Sequence, residues 1–326
     1  MKSLSVSAPN DVPVISVAMA TYNGATFLAE QLTSLAEQSL LPSELVVIDD
    51  GSTDDTPVIL DDFAKSAPFP VHFRQHMKRQ GPTSAFADAI EQCRGDIIFL
   101  CDQDDYWHCD KINRLTEQLM NTEAVAVICD ADLVDESLNF LGRTLWQSMG
   151  FSAREQRIVK GGSAFAVFLR KSPAYGMTMA FRSELRDLVL PIPTTWGHDG
   201  WILWLAAATS QIRLVEEPLV LYRQHASQEV PFRATRSRAN RIDRRVPFLK
   251  LSEDMDLLIA RLGEYRTSRD DSIQLAQRRK THYERRGRLP KNVVLRMPAV
   301  ISEIALGRYW RFGNGIRDIA RDLTMP

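Results

Sequence analysis

From residue 14 to about residue 130 the chain alternates between short unbroken apolar runs and longer stretches whose apolar positions recur every three or four residues. The runs at 14–20, 44–48, 71–74, 96–101 and 124–129 have the length and composition of buried strands. Between them Phe27, Leu28, Gln31, Leu32 and Leu35 keep helical spacing, as does the stretch 53–65. Gly81-Pro82 opens a further helix carrying Ala85, Phe86, Ala89 and Ile90, and residues 111–120 form another. Strands that read as continuous apolar runs and alternate with helices predict an α/β fold. The expected architecture is a single Rossmann-like, mostly parallel sheet flanked by helices. Beyond residue 150 the pattern is less regular, with a helix over 200–208 and one or two strands over 213–222. The expected organisation is a flexible 1–12, an α/β domain over 13–228 and a mainly helical extension over 229–326.

Ligands of such sheets bind beyond the carboxyl ends of the strands. Three polar clusters follow those ends: Thr21-Tyr22-Asn23, Asp49-Asp50-Gly51-Ser52 and Asp102-Gln103-Asp104-Asp105. Each has a plain alternative, since Asp, Gly and Ser build turns and Thr, Asn or Asp cap helices. The last cluster resists that alternative. Asp102 and Asp104 are two apart at a strand end and can point the same way. Carboxylates so placed repel unless a cation lies between them. All-oxygen ligands suit Mg²⁺ or Mn²⁺, ions that also hold nucleotide phosphates. His198-Asp199 opens the 200–208 helix, either as a cap or as a carboxylate general base. Tyr222-Arg223-Gln224-His225 is either a solvated strand end or a clamp on phosphates.

Composition narrows the classes. The net charge of −1 gives no case for nucleic-acid binding. The charge is uneven, with 16 Lys/Arg against 8 Asp/Glu between residues 233 and 288. No apolar run reaches the ~18 residues of a membrane span, and the first residues lack the apolar core of a secretory signal. The four cysteines form no CxxC pair, and Cys101 and Cys129 lie in apolar runs. They read as reduced thiols of a cytoplasmic protein. The dinucleotide fingerprint, phosphate loop, nucleophile elbow and HExxH are all missing, against a dehydrogenase, P-loop ATPase, α/β-hydrolase or zinc protease.

Taken in order over roughly residues 12–228, these segments resemble family 2 glycosyltransferases of the GT-A fold. The segment Phe99-Leu100-Cys101-Asp102-Gln103-Asp104-Asp105-Tyr106-Trp107, with Lys111 after it, is similar to that family's DxD region, most closely in rhamnosyltransferase-like members. Gly176-Met177-Thr178 resembles the loop on the acceptor side, Gly197-His198-Asp199-Gly200-Trp201 the base motif, and Tyr222-Arg223-Gln224-His225 the closing motif. The resemblance implies inverting transfer of a sugar, rhamnose or another hexose, from a UDP- or dTDP-sugar to a glycan or lipid-linked hydroxyl. It assigns Thr21, Tyr22, Asn23, Asp49, Asp50, Ser52, Asp102 and Gln103 to the nucleotide. Asp104, with Asp102 as a second candidate, would hold Mg²⁺ or Mn²⁺, and Asp199 would be the base. Arg223 and His225 would fold over the diphosphate, and Gly176, Met177, Thr178, Trp196, His198 and Trp201 would line the acceptor side. Gly200 departs from the aromatic residue of many relatives, and the resemblance assigns no role to the arginine-rich 229–245. Two rivals stand beside this reading. A sugar nucleotidyltransferase would need a basic Gly-rich loop where this chain has Thr21 to Thr26, without Lys or Arg. The other rival is a non-catalytic nucleotide-sugar-binding module. The basic C-terminal region is either a solvated helical surface or a patch for anionic lipid or a lipid-diphosphate acceptor on the inner membrane face, with 300–306, Tyr309, Trp310 and Phe312 at the interface in the second case.

Overall fold

The computed structural model describes residues 13–226, 228, 245–265 and 270–324. The expectations for 1–12 and for the arginine-rich 229–244 fall outside the described residues. Among the described residues nine strands form one sheet: β1 Ile15–Thr21, β2 Glu44–Asp49, β3 Val71–Gln75, β4 Ile97–Cys101, β5 Tyr106–Trp107, β6 Ala126–Val134, β7 Phe140–Thr144, β8 Met179–Arg182 and β9 Ile212–Arg223. The first helices are α1 Leu28–Ala36, α2 Thr56–Ser66, α3 Pro82–Gln92 and α4 Lys111–Met120. Next come α5 Leu145–Met149, α6 Ala153–Lys160, α7 Ala164–Phe168, α8 Arg186–Val189 and α9 His198–Thr209. The C-terminal helices are α10 Arg245–Glu264, α11 Asp270–Gly287, α12 Val293–Ala305, α13 Arg308–Phe312 and α14 Ile316–Thr324.

The sheet order is β3-β2-β1-β4-β8-β6-β9-β5, with β7 beside β6. The block β3-β2-β1-β4 is parallel throughout. Every residue of β2 and β4 is buried, as strands covered on both faces must be. Alternate residues divide between two cores. Val46, Ile48, Ile98 and Leu100 pack with Phe86, Ile90 and Trp201 on one face. Val17, Val47, Ile97 and Phe99 pack with Leu28, Leu32 and Trp107 on the other. Beyond β4 the sheet changes direction: β8 runs antiparallel between β4 and β6, with Phe99 opposite Ala180. That reversal carries residues 176–178, just before β8, to the same end of the sheet as Asp102.

Two differences from the expected elements have physical causes. The run ending at Cys129 continues to Val134, because the polar Asp130 is buried with its carboxylate accepting from the Ala131 and Trp146 amides. Residues 212–223 are one strand, whose register against β6 jumps from Val215 to Pro218. The bulge leaves Glu216 and Glu217 exposed, and Pro218, which has no amide hydrogen, sits beside it. The core continues into the C-terminal helices. Met255, Leu258 and Leu262 share one face of α10 and pack with Ala276 and Tyr283 of α11. No helix of the described residues is long and apolar enough to cross a membrane.

Candidate active site

The carboxyl ends of β2, β1 and β4 lie side by side, with Thr21 in register with Asp49 and Met19 with Cys101. All three polar clusters therefore converge. They are tied into one frame. Asp49 is fully buried, and its carboxylate accepts from Thr21 Oγ1 (2.8 Å), Ser52 Oγ (2.5 Å), Ser52 N (2.8 Å) and Gln75 Nε2 (2.9 Å). A carboxylate offers about four acceptor positions, and here the protein fills them. Asp50 accepts from His76 Nδ1 (2.9 Å), Gln80 N (2.7 Å) and Gly81 N (2.7 Å), fixing the loop that opens α3. Burial opposes charge on His76, but the carboxylates of Asp50 and Asp88 outweigh it and raise its pKa. In this structure the acceptors of Asp49 build the loop. Asn23, at φ 46°, donates its backbone N–H to Ser52 Oγ (2.8 Å), and its Oδ1 accepts from Thr53 N (2.9 Å). It too joins the first loop to the second.

Gln103 spans to the first loop, its Oε1 accepting from Tyr22 N (2.8 Å) and its Nε2 donating to Tyr22 O (3.0 Å). A Cβ on Gly24 would lie 2.2 Å from that Oε1, so only glycine leaves room for the bridge. The ring of Tyr22 is left facing the guanidinium of Arg79, 4.0 Å from its centroid. Sequence reading missed Arg79, which sits in a loop without periodicity. Its one signal was a basic pair, Lys78-Arg79, past the end of β3.

The aspartate cluster divides into three environments. Asp105 is fully buried, accepts from Arg223 N at 3.2 Å, and its Oδ2 has no partner among the described residues. Burial, then Asp104 and Asp102, push its pKa well up. Asp102 is pushed up to about 7 by burial first and then by the charges of Asp104 and Asp199. Asp104 keeps an opening to solvent, and its Oδ2 meets His225 Nε2 at 2.9 Å. Beneath them Lys111 is fully buried, donating from Nζ to Met177 O at 2.7 Å and lying against the Trp107 ring. Burial lowers its pKa to about 7, so near neutral pH it carries only part of a positive charge against the carboxylates above. This deficit, with carboxylate oxygens and an imidazole as donors, fits a hard divalent cation. His108, Cys109 and Asp110 also bring ligand-type atoms together, but as consecutive residues of an exposed turn outside this site.

Asp199 lies in the first turn of α9, its Oδ1 accepting from Gly200 N at 2.6 Å, and it faces Asp102 closely enough to raise that group's pKa. Helix N-termini favour such a carboxylate. His198 stacks on Phe86 at 3.8 Å, and burial lowers its pKa against the pull of Asp199, which favours the neutral ring. Its Nε2 lies where a Cβ on Gly176 would come within 2.8 Å and has no partner among the described residues. His198 and Gly176 thus pack together behind Asp199.

Several expected contacts are corrected. Arg223 is fully buried rather than a lid: Nε donates to Asp104 O (2.9 Å), and its terminal nitrogens reach Glu136 O and Glu30. It braces the aspartate loop from behind. Met177 and Thr178 are fully buried, and Trp201 is a core residue whose Nε1 donates to Val189 O (2.8 Å). Trp196 remains half-buried at the surface, edge-on to Trp201 and Trp204, with its carbonyl accepting from Thr83 Oγ1 (2.9 Å).

A model described as glycosyl transferase family 2 matches residues 16–171. An uncharacterized glycosyltransferase of Nostoc sp. is 26% identical over 92% of this chain and 90% of its own length. The chain spans 59% of the length of an uncharacterized Mycobacterium tuberculosis protein that it matches at 34% identity. Among solved structures, S. aureus TarS residues 1–349 in complex with UDP-GlcNAc shares the fold at TM-score 0.58 and 17% identity, over 95% of this chain and 81% of that one. The mannosyltransferase PcManGT of Pyrobaculum calidifontis, in complex with GDP-Man and Mn²⁺, does so at TM-score 0.53 and 18% identity, over 91% and 76%.

Proposed function

We infer from the match to glycosyl transferase family 2 over residues 16–171 and the shared GT-A fold that the chain is a glycosyltransferase of that family, and we propose that it is an inverting, metal-dependent enzyme that uses Asp199 as general base. The donor is a UDP- or dTDP-sugar, and the acceptor is a hydroxyl of a glycan or lipid-linked saccharide, with rhamnose or another hexose transferred. The observation that carries this reading is the group of carboxylates at the sheet mouth. Asp102, Asp104 and Asp199 meet there with too little positive charge beside them. A nucleotide-sugar site with a cation would supply what is lacking. The UDP-GlcNAc complex of TarS and the GDP-Man complex of PcManGT support a nucleotide-sugar donor, and the Mn²⁺ of PcManGT supports a divalent ion.

In this mechanism the nucleobase stacks on the Tyr22 ring in place of the Arg79 guanidinium, which covers that ring at 4.0 Å and moves aside when the donor binds. Thr21, Asn23, Ser52 and Gln103 hold the walls of that site, and Asp49 and Asp50 hold the walls in turn. Asp104, with His225 or Asp102 beside it, would hold Mg²⁺ or Mn²⁺. The bound ion would neutralise the leaving diphosphate. Asp199 takes the proton from the acceptor hydroxyl. The hydroxyl oxygen bonds to the anomeric carbon on the face opposite the diphosphate, whose bond breaks and which leaves with the electron pair. A single displacement inverts the centre, through an oxocarbenium-like transition state. His198 and Gly176 fix the start of α9, and Trp196 offers a half-exposed face to the acceptor. Cys93, Cys101 and Cys129 are buried and unpaired, which supports a reducing, cytoplasmic setting.

The test is a panel of nucleotide sugars with Mn²⁺ or Mg²⁺, read by thermal shift, because a ligand of the native state raises apparent stability. A UDP- or dTDP-sugar should stabilise the chain only with metal present. A flat response across the panel would end this reading, as would stabilisation by nucleoside triphosphates alone.

A further inference from the structure

Helix α12 is turned inside out. Its charged residues Arg296 and Glu303 are buried with Val300. Its solvent face carries Val294, Met297, Pro298, Ile301 and Ala305, at positions i, i+3, i+4, i+7 and i+11. A surface helix places such a stripe against the core, yet here Val294 is 71% and Ile301 56% exposed. The apolar surface continues past the helix through Leu306 (55%), Trp310 (49%) and Ile316 (73%). Trp310 lies over Gly315, where a Cβ would come within 2.9 Å of its ring, and so adjoins Ile316. The earlier expectation of interfacial Val300, Tyr309 and Phe312 is corrected, since all three are buried.

The charge around this surface has one sign. Residues 285–324 contain nine Lys/Arg and three Asp/Glu. The three acids, Glu303, Asp318 and Asp322, are all buried. Arg288 and Lys291 are exposed just before α12, and Arg311 and Arg317 are exposed beside Trp310 and Ile316. An apolar stripe with an interfacial tryptophan, bordered by cations and free of exposed acids, complements an anionic bilayer surface. No described helix can span a membrane, so such a contact lies in the plane of the interface.

We propose that α12, with Trp310 and Ile316, docks this protein onto membranes rich in anionic lipid. Apolar side chains enter the headgroup boundary while Arg288, Lys291, Arg311 and Arg317 meet lipid phosphates. This rests on nothing in the active-site reading.

The experiment is flotation of the full chain with vesicles of phosphatidylcholine alone or of phosphatidylcholine and phosphatidylglycerol. Each basic residue near an anionic surface strengthens binding about fivefold. Four should favour the anionic vesicles by on the order of 10²- to 10³-fold, and salt should erase much of the difference. Met297→Glu/Ile301→Glu should abolish flotation, and Arg288→Glu/Lys291→Glu should reduce it at least tenfold. Both pairs are exposed, and an unchanged melting temperature checks the fold of each variant. Absence of flotation by the folded wild-type chain overturns the proposal, as does flotation indifferent to Met297→Glu/Ile301→Glu. Sedimentation velocity covers the other occupant: self-association lost in that variant, without vesicle binding, would make the surface a contact between copies and overturn it too. Metal-dependent nucleotide binding, measured on the same variants, reports the donor site separately.

Discussion

The sheet mouth and the C-terminal helices both bury carboxylates, and they do so in opposite ways. In the helices each acid has cations to match. Asp322 receives Arg286 through two bonds of 2.7 and 2.9 Å and the Tyr309 hydroxyl at 2.8 Å. Glu303 meets His282 (2.6 Å), Arg285 (2.5 Å) and Arg308 (2.9 Å), and Asp318 meets Arg286 and Arg321. At the sheet mouth Asp102, Asp104, Asp105 and Asp199 crowd together over one buried lysine whose own charge is weakened. Paired burial lowers the pKa of Glu303 and Asp318 despite desolvation, whereas unpaired burial raises that of Asp102 and Asp105. Buried charge alone therefore does not mark a functional site. Buried charge left without a counterion does.

The comparison predicts that substitutions at the mouth damage turnover and spare stability, while substitutions in the helices do the reverse. The largest effect is expected from Asp199→Asn. Removing a general base costs about 10²- to 10⁴-fold. Initial rates should fall in that range, with the metal-dependent thermal shift on donor binding retained. Wild-type rates in this variant would remove Asp199 from the mechanism. Next is Arg286→Met, which leaves Asp318 and Asp322 buried with one partner fewer. Breaking a buried pair by removing one member costs about 3–5 kcal/mol, read by urea unfolding. If the loss is under about 1 kcal/mol, the helices are not held by these pairs, and the contrast fails on that side. Asp104→Ala follows. It should weaken metal-dependent nucleotide binding by more than the ~10- to 100-fold typical of outer-sphere partners. Its melting temperature without ligand should stay level or rise, because one repelling charge is gone. Calorimetric titration and a thermal scan read the two halves.

Much of this architecture was legible in the sequence, for reasons the strands make plain. β1, β2 and β4 are buried on both faces, so they appear as unbroken apolar runs, and the first polar residue after each marks the sheet mouth. The convergence of residues 21–23, 49–52 and 102–105 follows from that rule. What a side chain does at the mouth was less legible, because it depends on partners far along the chain. Asp49 is saturated partly by Gln75, and Arg223 is turned inward by Glu30 and Glu136. Trp201 stands two residues from Asp199, yet on a helix that step turns it into the core. Helix phase decides α12 as well. With apolar residues on most sides of the helix, only the buried partners of Arg296 and Glu303 settle which of them face out.

The smallest predicted effect is the most direct check on the paired side. Burial pushes the Asp318 carboxyl up. The Asn314 amide at 2.8 Å and the guanidiniums of Arg286 and Arg321 outweigh it, leaving a pKa below the ordinary 3.8. A group depressed in the folded state contributes stability above its unfolded pKa and loses it as pH falls through the folded value. Asp318→Asn removes that contribution, while Arg286 and Arg321 do not titrate in this range. The stability difference between wild type and Asp318→Asn should therefore be constant from about pH 7 to 5, at roughly 1–3 kcal/mol for a buried charge-assisted bond. It should shrink steadily below about pH 4. Urea unfolding of both proteins across that range, compared as a difference, cancels the opposing titration of Asp102 and Asp105. A difference that grows as pH falls would mean that Asp318 is a strained carboxylate like those at the mouth, and the two regions would no longer be opposites.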